Sequence, residues 1–294
     1  PLFASIWVGG TAINLGGSDA QKGELLGQIA AGELLLALAL EESHRHNPYG
    51  IATTAAAKDG GFEISGEKTF VLDGNVADKF VVVARTSGNA GDRDGLSLFL
   101  VDSSSDGVTV SRTKMADSRN AANVSFSSVK VGADALIGTQ DQGADVLDAT
   151  LDIGRIGIAA EMLGSLQECF ERTVQYLKER EQFGVPIGSF QALKHRAADM
   201  FCEVELSKSC VLEALSALDE GRSPEEIAKL ASLTKTKVGE TFHQVSREGV
   251  QMHGGIGMTD EFDIGFFLKR AAVTEQTLGD VNFHRNRYGE LEGY

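Results

Sequence analysis

Gln251-Met252-His253-Gly254-Gly255-Ile256-Gly257-Met258-Thr259-Asp260-Glu261-Phe262, followed by Leu278-Gly279-Asp280, decides how the rest of this chain is read. Paired glycines let backbone N–H groups approach a bound molecule with no Cβ in the way. Taken alone, Gly254-Gly255 equally fits a simple turn. Upstream, Arg180-Glu181-Gln182-Phe183-Gly184 offers a guanidinium whose planar fork suits phosphate oxygens, although a surface salt bridge would use the same residue. Leu278 is an apolar side chain that cannot accept a proton.

Working outward, the spacing after Asp145 is helical, with Ile156, Ala159, Leu163, Leu166, Phe170, Val174 and Leu177 recurring every three or four residues. A second helix is expected from Ser189, carrying Leu193, Ala197, Met200, Val204, Val211 and Leu215. The third opens at Ser223-Pro224-Glu225-Glu226, which combines a capping serine, a proline at the first helical position and a glutamate placed for a capping box. Three long helices imply an antiparallel bundle. Between Phe62 and Phe126 the period is two, in runs broken by Gly, Asp, Ser and Asn, which predicts an antiparallel β domain with its most mobile tip at 88–94. Ser18 reads as the cap of a helix whose stripe Leu25, Leu26, Ile29 stops at Gly32, so residues 1 to about 37 are expected to be one or two helices.

Composition narrows the partners. A formal charge of −15 over 294 residues opposes nucleic acid or an anionic membrane as the main partner. Cys169, Cys202 and Cys210 are odd in number and have no ligand spacing, so no disulfide framework and no metal is expected, and a reducing cytoplasm is the default location. No apolar run approaches the roughly 20 residues that span a bilayer. The chain starts at Pro1 with no signal-type core, so upstream sequence is expected to be missing. The six histidines show neither triad nor ligand spacing, and none is assigned to chemistry.

The order helix, β, helical bundle, together with Gly17-Ser18 through Gly32-Glu33, Gly66-Glu67-Lys68, Arg180 to Gly184 and the Gln251 loop, resembles the acyl-CoA dehydrogenases over essentially the whole chain. The resemblance implies an α+β fold. Residues 1–37 would be a remnant of the N-terminal α domain, 38–145 the middle antiparallel β domain, and 146–294 the C-terminal four-helix-bundle-type α domain. It also implies FAD and an acyl-CoA thioester, with a Glu taking the α-proton while the flavin takes the β-hydrogen as hydride. Fatty acid or steroid side-chain β-oxidation is the implied setting.

Where the family carries that Glu in Glu-Gly-Thr, this chain has Leu278-Gly279-Asp280; at the family's alternative base position, in Leu151-Asp152-Ile153-Gly154-Arg155, it has Gly154. Glu275 and Asp280 are the nearest displaced carboxylates. The family's contacts to a chain's own flavin ring fall on Leu40, His46, Phe70 and Leu72, of which only the aromatic Phe70 matches. The contacts that reach a neighbouring chain's flavin fall on Arg180, Gln182, Phe183, Gln251, Gly254 and Gly255, and these match. Asp152 and Arg155 match residues lining the acyl-CoA side, with a helix N-terminal acid and an intrahelical ion pair as the plainer alternative.

The expectation is therefore a hetero-oligomer with a Glu-bearing subunit, similar to actinobacterial α2β2 acyl-CoA dehydrogenases that act on bulky steroid-derived esters. A self-sufficient dehydrogenase, in a homo-oligomer and using Glu275 or Asp280, is one alternative. A non-redox interaction scaffold is the other.

Overall fold

Ser18 sets the first regular boundary. Its hydroxyl accepts from the Gln21 N–H at 3.2 Å while its own N–H donates to the Gln21 side chain at 2.9 Å, so two donors of the helix N-terminus are satisfied reciprocally. The helix α2 that follows spans Asp19–Ala31 and stops at Gly32, whose φ of 74° is open to glycine. Before it, a π-helical segment Phe3–Gly10 passes directly into α1, Thr11–Gly16. The computed structural model describes residues 2–294, in two units that divide after Gly154. Among the described residues no helix is long and apolar enough to cross a membrane.

The first unit is built on an eight-stranded sheet: β1 Leu36–Ala39, β2 Thr54–Lys58, β3 Gly61–Leu72, β4 Lys79–Arg85, β5 Leu96–Asp102, β6 Val108–Lys114, β7 Asn120–Gly132 and β8 Leu136–Ile137. The strand order is β6-β7-β3-β2-β4-β5-β8, with β1 beside β4. The expected antiparallel sheet is mixed, because β1 runs parallel to β4 in the register Leu36↔Lys79 to Ala39↔Val82. Leu-Ala-Leu-Ala carries no polar alternation, and for that reason it escapes a period-two reading. Phe62, Ile64, Phe80, Val82, Phe99, Val124 and Phe126 form the core on one face of the sheet. The 88–94 loop, the expected mobile tip, is tethered: the Arg85 guanidinium donates to the carbonyls of Ser87, Asp94, Asp92 and Tyr49, and Arg93 pairs with Asp145 and Asp148.

A buried cation organises the neck between β1 and β2. Lys68 is fully buried, donates to the Leu40 carbonyl at 3.0 Å and meets the Glu42 carboxylate at 2.7 Å. Burial pushes its pKa down to about 8, against the pull of Glu42. The Glu42 carboxylate also accepts from the Ala52 and Thr53 N–H groups, so one side chain ties three stretches of backbone.

The second unit holds most of the long helix α3, Gly143–Glu179, with α4 Gln191–Asp219, α5 Pro224–His253, α6 Ile264–Gln276 and α7 Val281–Leu291. α5 starts as the sequence predicts: Ser223 and Glu226 close a capping box and Pro224 occupies the first turn. α4 begins at Gln191 rather than Ser189, because Ile187–Ser189 winds as a 3₁₀ turn and Phe190 is extended. The buried stripe of α5, Ala231, Lys235, Val238 and Phe242, contains one lysine among apolar neighbours.

Candidate active site and nucleotide grip

Three donors converge on the hinge between α6 and α7. Arg155 of α3, 2% exposed, donates from Nε to the Leu278 carbonyl at 3.1 Å; His284 of α7 reaches the same oxygen through Nε2 at 3.1 Å. Lys235 of α5, 1% exposed, donates to the carbonyls of Glu275 at 2.7 Å and Gly279 at 3.0 Å. The Glu275 carbonyl lies in the last turn of α6, where unsatisfied acceptors and the negative end of the helix dipole favour cations, and Leu278 and Gly279 follow in the link to α7. Burial pushes the Lys235 pKa down to about 7, with Glu275 opposing that fall and Arg155 adding to it. Arg155 also stacks over the Phe283 ring at 5.4 Å.

Held this way, Leu278 sits at φ 57° and Gly279 at φ 109°. A leucine in the left-handed region is strained, and it persists only where the surroundings impose the conformation. The side chain so presented is aliphatic and offers no base. The neighbouring carboxylates are otherwise engaged. Asp280 caps α7, its Oδ1 accepting from the Phe283 N–H at 2.7 Å. Glu275 faces His243 Nδ1 at 3.4 Å. Glu275 and His243, together with Arg247, Gln251, Val281 and Asn282, line a groove of about 730 Å³. Gly154 is buried within α3, and Asp152 is 4% exposed. No group of His, Cys, Asp and Glu among the described residues is arranged to hold a metal ion.

The structure brings Arg180, Gln182, Phe183, Gln251, Gly254 and Gly255 to one end of the bundle through an aromatic stack. Tyr176 lies on His253 with ring centroids 4.2 Å apart, and its hydroxyl donates to the His253 carbonyl at 3.3 Å; Phe262 packs against both rings, 4.8 Å from His253 and edge-on to Tyr176 at 6.0 Å. Arg180 is one helical turn beyond Tyr176, its N–H bonded to the Tyr176 carbonyl at 2.9 Å. There the chain turns back as a tight hairpin, β9 Glu181–Gln182 with β10 Val185–Pro186. Its two loop residues, Phe183 and Gly184, have φ of 58° and 78°, the signs of a type I′ turn.

A phenylalanine is an unusual choice there. The residue is 88% exposed, and its ring meets that of Phe190 edge-on with centroids 6.0 Å apart. The exposed Arg180 guanidinium has no hydrogen bond or ion pair to another described residue. Gly254 (φ 65°) and Gly255 have nothing within 4 Å of where a Cβ would stand. A guanidinium without a partner among the described residues, a surface free of side chains at Gly254-Gly255 and an exposed aromatic ring could meet an anion and a flat ring system.

In the first unit, the four positions expected beside the flavin ring differ in kind. Leu40 is buried at 3% exposure, and His46 Nδ1 meets Glu41 Oε1 at 2.5 Å. Phe70 is half exposed at φ 48°, on the irregularity of β3 between Lys68 and Val71. Leu72 is half-buried. Sequence reasoning passed over Lys235, His284, Tyr176 and His253. Lys235 alone left a trace, a charge on the apolar stripe of α5.

Two family models match the chain: one described as "Acyl-CoA dehydrogenase, C-terminal domain" over residues 141–290, and one described as "Acyl-CoA dehydrogenase, middle domain" over residues 37–129. An acyl-CoA dehydrogenase of Bacillus subtilis is 31% identical over 272 residues, covering 91% of this chain and 71% of its own. The butyryl-CoA dehydrogenase structure from Megasphaera elsdenii superposes with a TM-score of 0.93 at 28% identity, over 98% of this chain and 76% of its own. A variant of the steroid ACAD Tcur3481-Tcur3483 does so with a TM-score of 0.87 at 30% identity, over 99% and 76%.

Proposed function

The chain belongs to the acyl-CoA dehydrogenase family, whose members are oxidoreductases, and from that membership we propose that it is a flavoprotein subunit for α,β-dehydrogenation of an acyl-CoA thioester. It completes the FAD site of a Glu-bearing partner and supplies no base of its own. One observation carries this reading: the exposed Arg180 guanidinium, without a partner among the described residues, and the surface left free of side chains at Gly254-Gly255 coexist with an aliphatic side chain at Leu278 and no side chain at Gly154. FAD, when bound, supplies the hydride acceptor. Arg180, beside the surface left open at Gly254-Gly255, would hold its phosphates, and Phe183 and Gln182 would serve its adenosine end. The likeness to a steroid enzyme whose name pairs two designations supports a two-component assembly and a bulky acyl chain.

Asp152 and Arg155 are buried, and Arg155 shapes the hinge carbonyls, so its service to an acyl-CoA is indirect. In the assembled complex, Arg180→Ala weakens flavin retention by about 1.5–3 kcal/mol, the loss of a charge-assisted hydrogen bond. Dialysis of the complex with absorbance readout measures it; unchanged retention contradicts the grip.

A second reading has one observation in its favour. The Glu275 carboxylate faces His243 across an open groove, an arrangement suited to a displaced base. Under that reading Glu275→Gln abolishes bleaching of the flavin by acyl-CoA. Bleaching at the unaltered rate removes it.

A further inference from the structure

His253 stands at the root of the Gly254-Gly255 loop and is 3% exposed. Its Nδ1 lies 2.6 Å from the Gly249 carbonyl. A carbonyl cannot donate, so Nδ1 carries the hydrogen and Nε2 the lone pair. Nε2 is buried with no hydrogen-bond partner among the described residues. The ring belongs to a three-ring cluster, stacked on Tyr176 and tilted against Phe262, which themselves meet edge-on at 6.0 Å, and the loop folds over it so closely that a Cβ on Gly257 would stand 3.0 Å from the His253 Cβ.

We propose that His253 is a positioning residue that locks the Gly254-Gly255 loop to the root of the Arg180 hairpin while its imidazole is neutral, and that its protonation releases the loop and with it the nucleotide end of the cofactor. A second N–H, created at Nε2 by protonation, would have no acceptor inside this aromatic cluster, and an unpaired buried charge is strongly disfavoured. The way to hydrate it is to open the stack, which separates Tyr176, and the hairpin one turn beyond it, from the loop.

The charged groups packed around the ring do not oppose this. On α3, Tyr176 stacks with its hydroxyl on the His253 carbonyl, and Arg172, one turn earlier, is held by Glu168 at 2.7 Å and Asp263 at 3.2 Å. Asp263, beside Phe262, is therefore already paired, and on α5 Glu248 is paired with Arg196. Burial lowers the imidazole pKa, and the hydrogen bond to Gly249 only partly offsets it.

The inference rests on the nucleotide-grip reading for its consequence but not for its mechanism, so the test has two arms on the full chain. In the first, the His253 ring is titrated by NMR while amide exchange at residues 254–257 is followed and corrected for the intrinsic pH dependence. Exchange should rise with protonation of His253, below the ordinary histidine value of about 6.5. In His253→Phe, which keeps the stack and cannot titrate, it should not rise. Titration of His253 at or above that value, or the same acid opening in the phenylalanine variant, overturns the proposal.

In the second arm, ADP stands for the nucleotide end of the cofactor. Its affinity should weaken with acid in the wild type, by up to about tenfold for each unit by which the imidazole is depressed, and stay flat in His253→Phe. Binding that is equally acid-sensitive in both overturns the proposed release. No ADP binding at any pH contradicts the grip reading instead, while the exchange arm still decides the locking role of His253.

Discussion

Leu278 shows most plainly how much of this site is imposed by its surroundings. A leucine at φ 57° costs on the order of 1 kcal/mol or more, and it is kept there because Arg155 and His284 fix its carbonyl while Lys235 fixes those on either side. The hinge thus holds a presentation geometry that its own side chain cannot use. Asp280, two residues on, has a structural task. Asp280→Ala should lower stability by about 1 kcal/mol, the usual worth of a helix cap, whereas Asp280→Asn should be nearly neutral, since both residues accept from the third N–H of α7. Urea unfolding reads both; catalytic loss in Asp280→Asn at full stability would show that the carboxylate works in the chemistry instead.

At the scale of elements, two buried lysines tie segments together. Glu42→Ala strips Lys68 of its counter-charge and two loop amides of their acceptor, and is expected to cost about 3–5 kcal/mol, the range for breaking a buried pair. A loss under about 1 kcal/mol would contradict the clamp. For Lys235 the pH dependence carries the sign. Its pKa falls from 10.5 in the unfolded chain to about 7 in the fold, so between those values the unfolded state binds more protons and stability rises with pH. Lys235→Met lacks that contribution, and the stability gap in favour of the wild type should widen from pH 7 to pH 10. A constant or narrowing gap in urea midpoints contradicts the assignment.

Element boundaries were legible where local chemistry sets them, as in the capping serine at Ser18, the stop at Gly32 and the capping box at Ser223. They were not legible where tertiary pairing does, as in β1, whose Leu-Ala-Leu-Ala carries no period of its own and is ordered by β4. The hinge cradle was hidden for a similar reason. Arg155, Lys235 and His284 come from three helices, and no spacing along the chain announces that they meet. The residues proposed for the grip, by contrast, can be named from the chain alone, because Arg180 and the paired glycines lie in two short contiguous motifs.

At the scale of the whole molecule, the account is a division of labour between two chains. Under it, this chain is assigned the phosphate end of the cofactor, through Arg180 and the open Gly254-Gly255 surface, and the flavin ring and the proton acceptor are left to its partner, since Leu278 is aliphatic. A base restored by Leu278→Glu in the isolated chain should therefore produce no acyl-CoA-dependent bleaching, because the ring contacts at Leu40, His46 and Leu72 remain unsuited; bleaching by that variant would show a complete flavin site. The most direct test of the central claim is the flavin-to-polypeptide ratio from the visible spectrum, for the chain alone and for its complex with a Glu-bearing subunit. The account predicts almost no FAD on the lone chain and about one FAD for every two chains in the complex. One tightly held FAD per lone chain, reduced by an acyl-CoA, would contradict it.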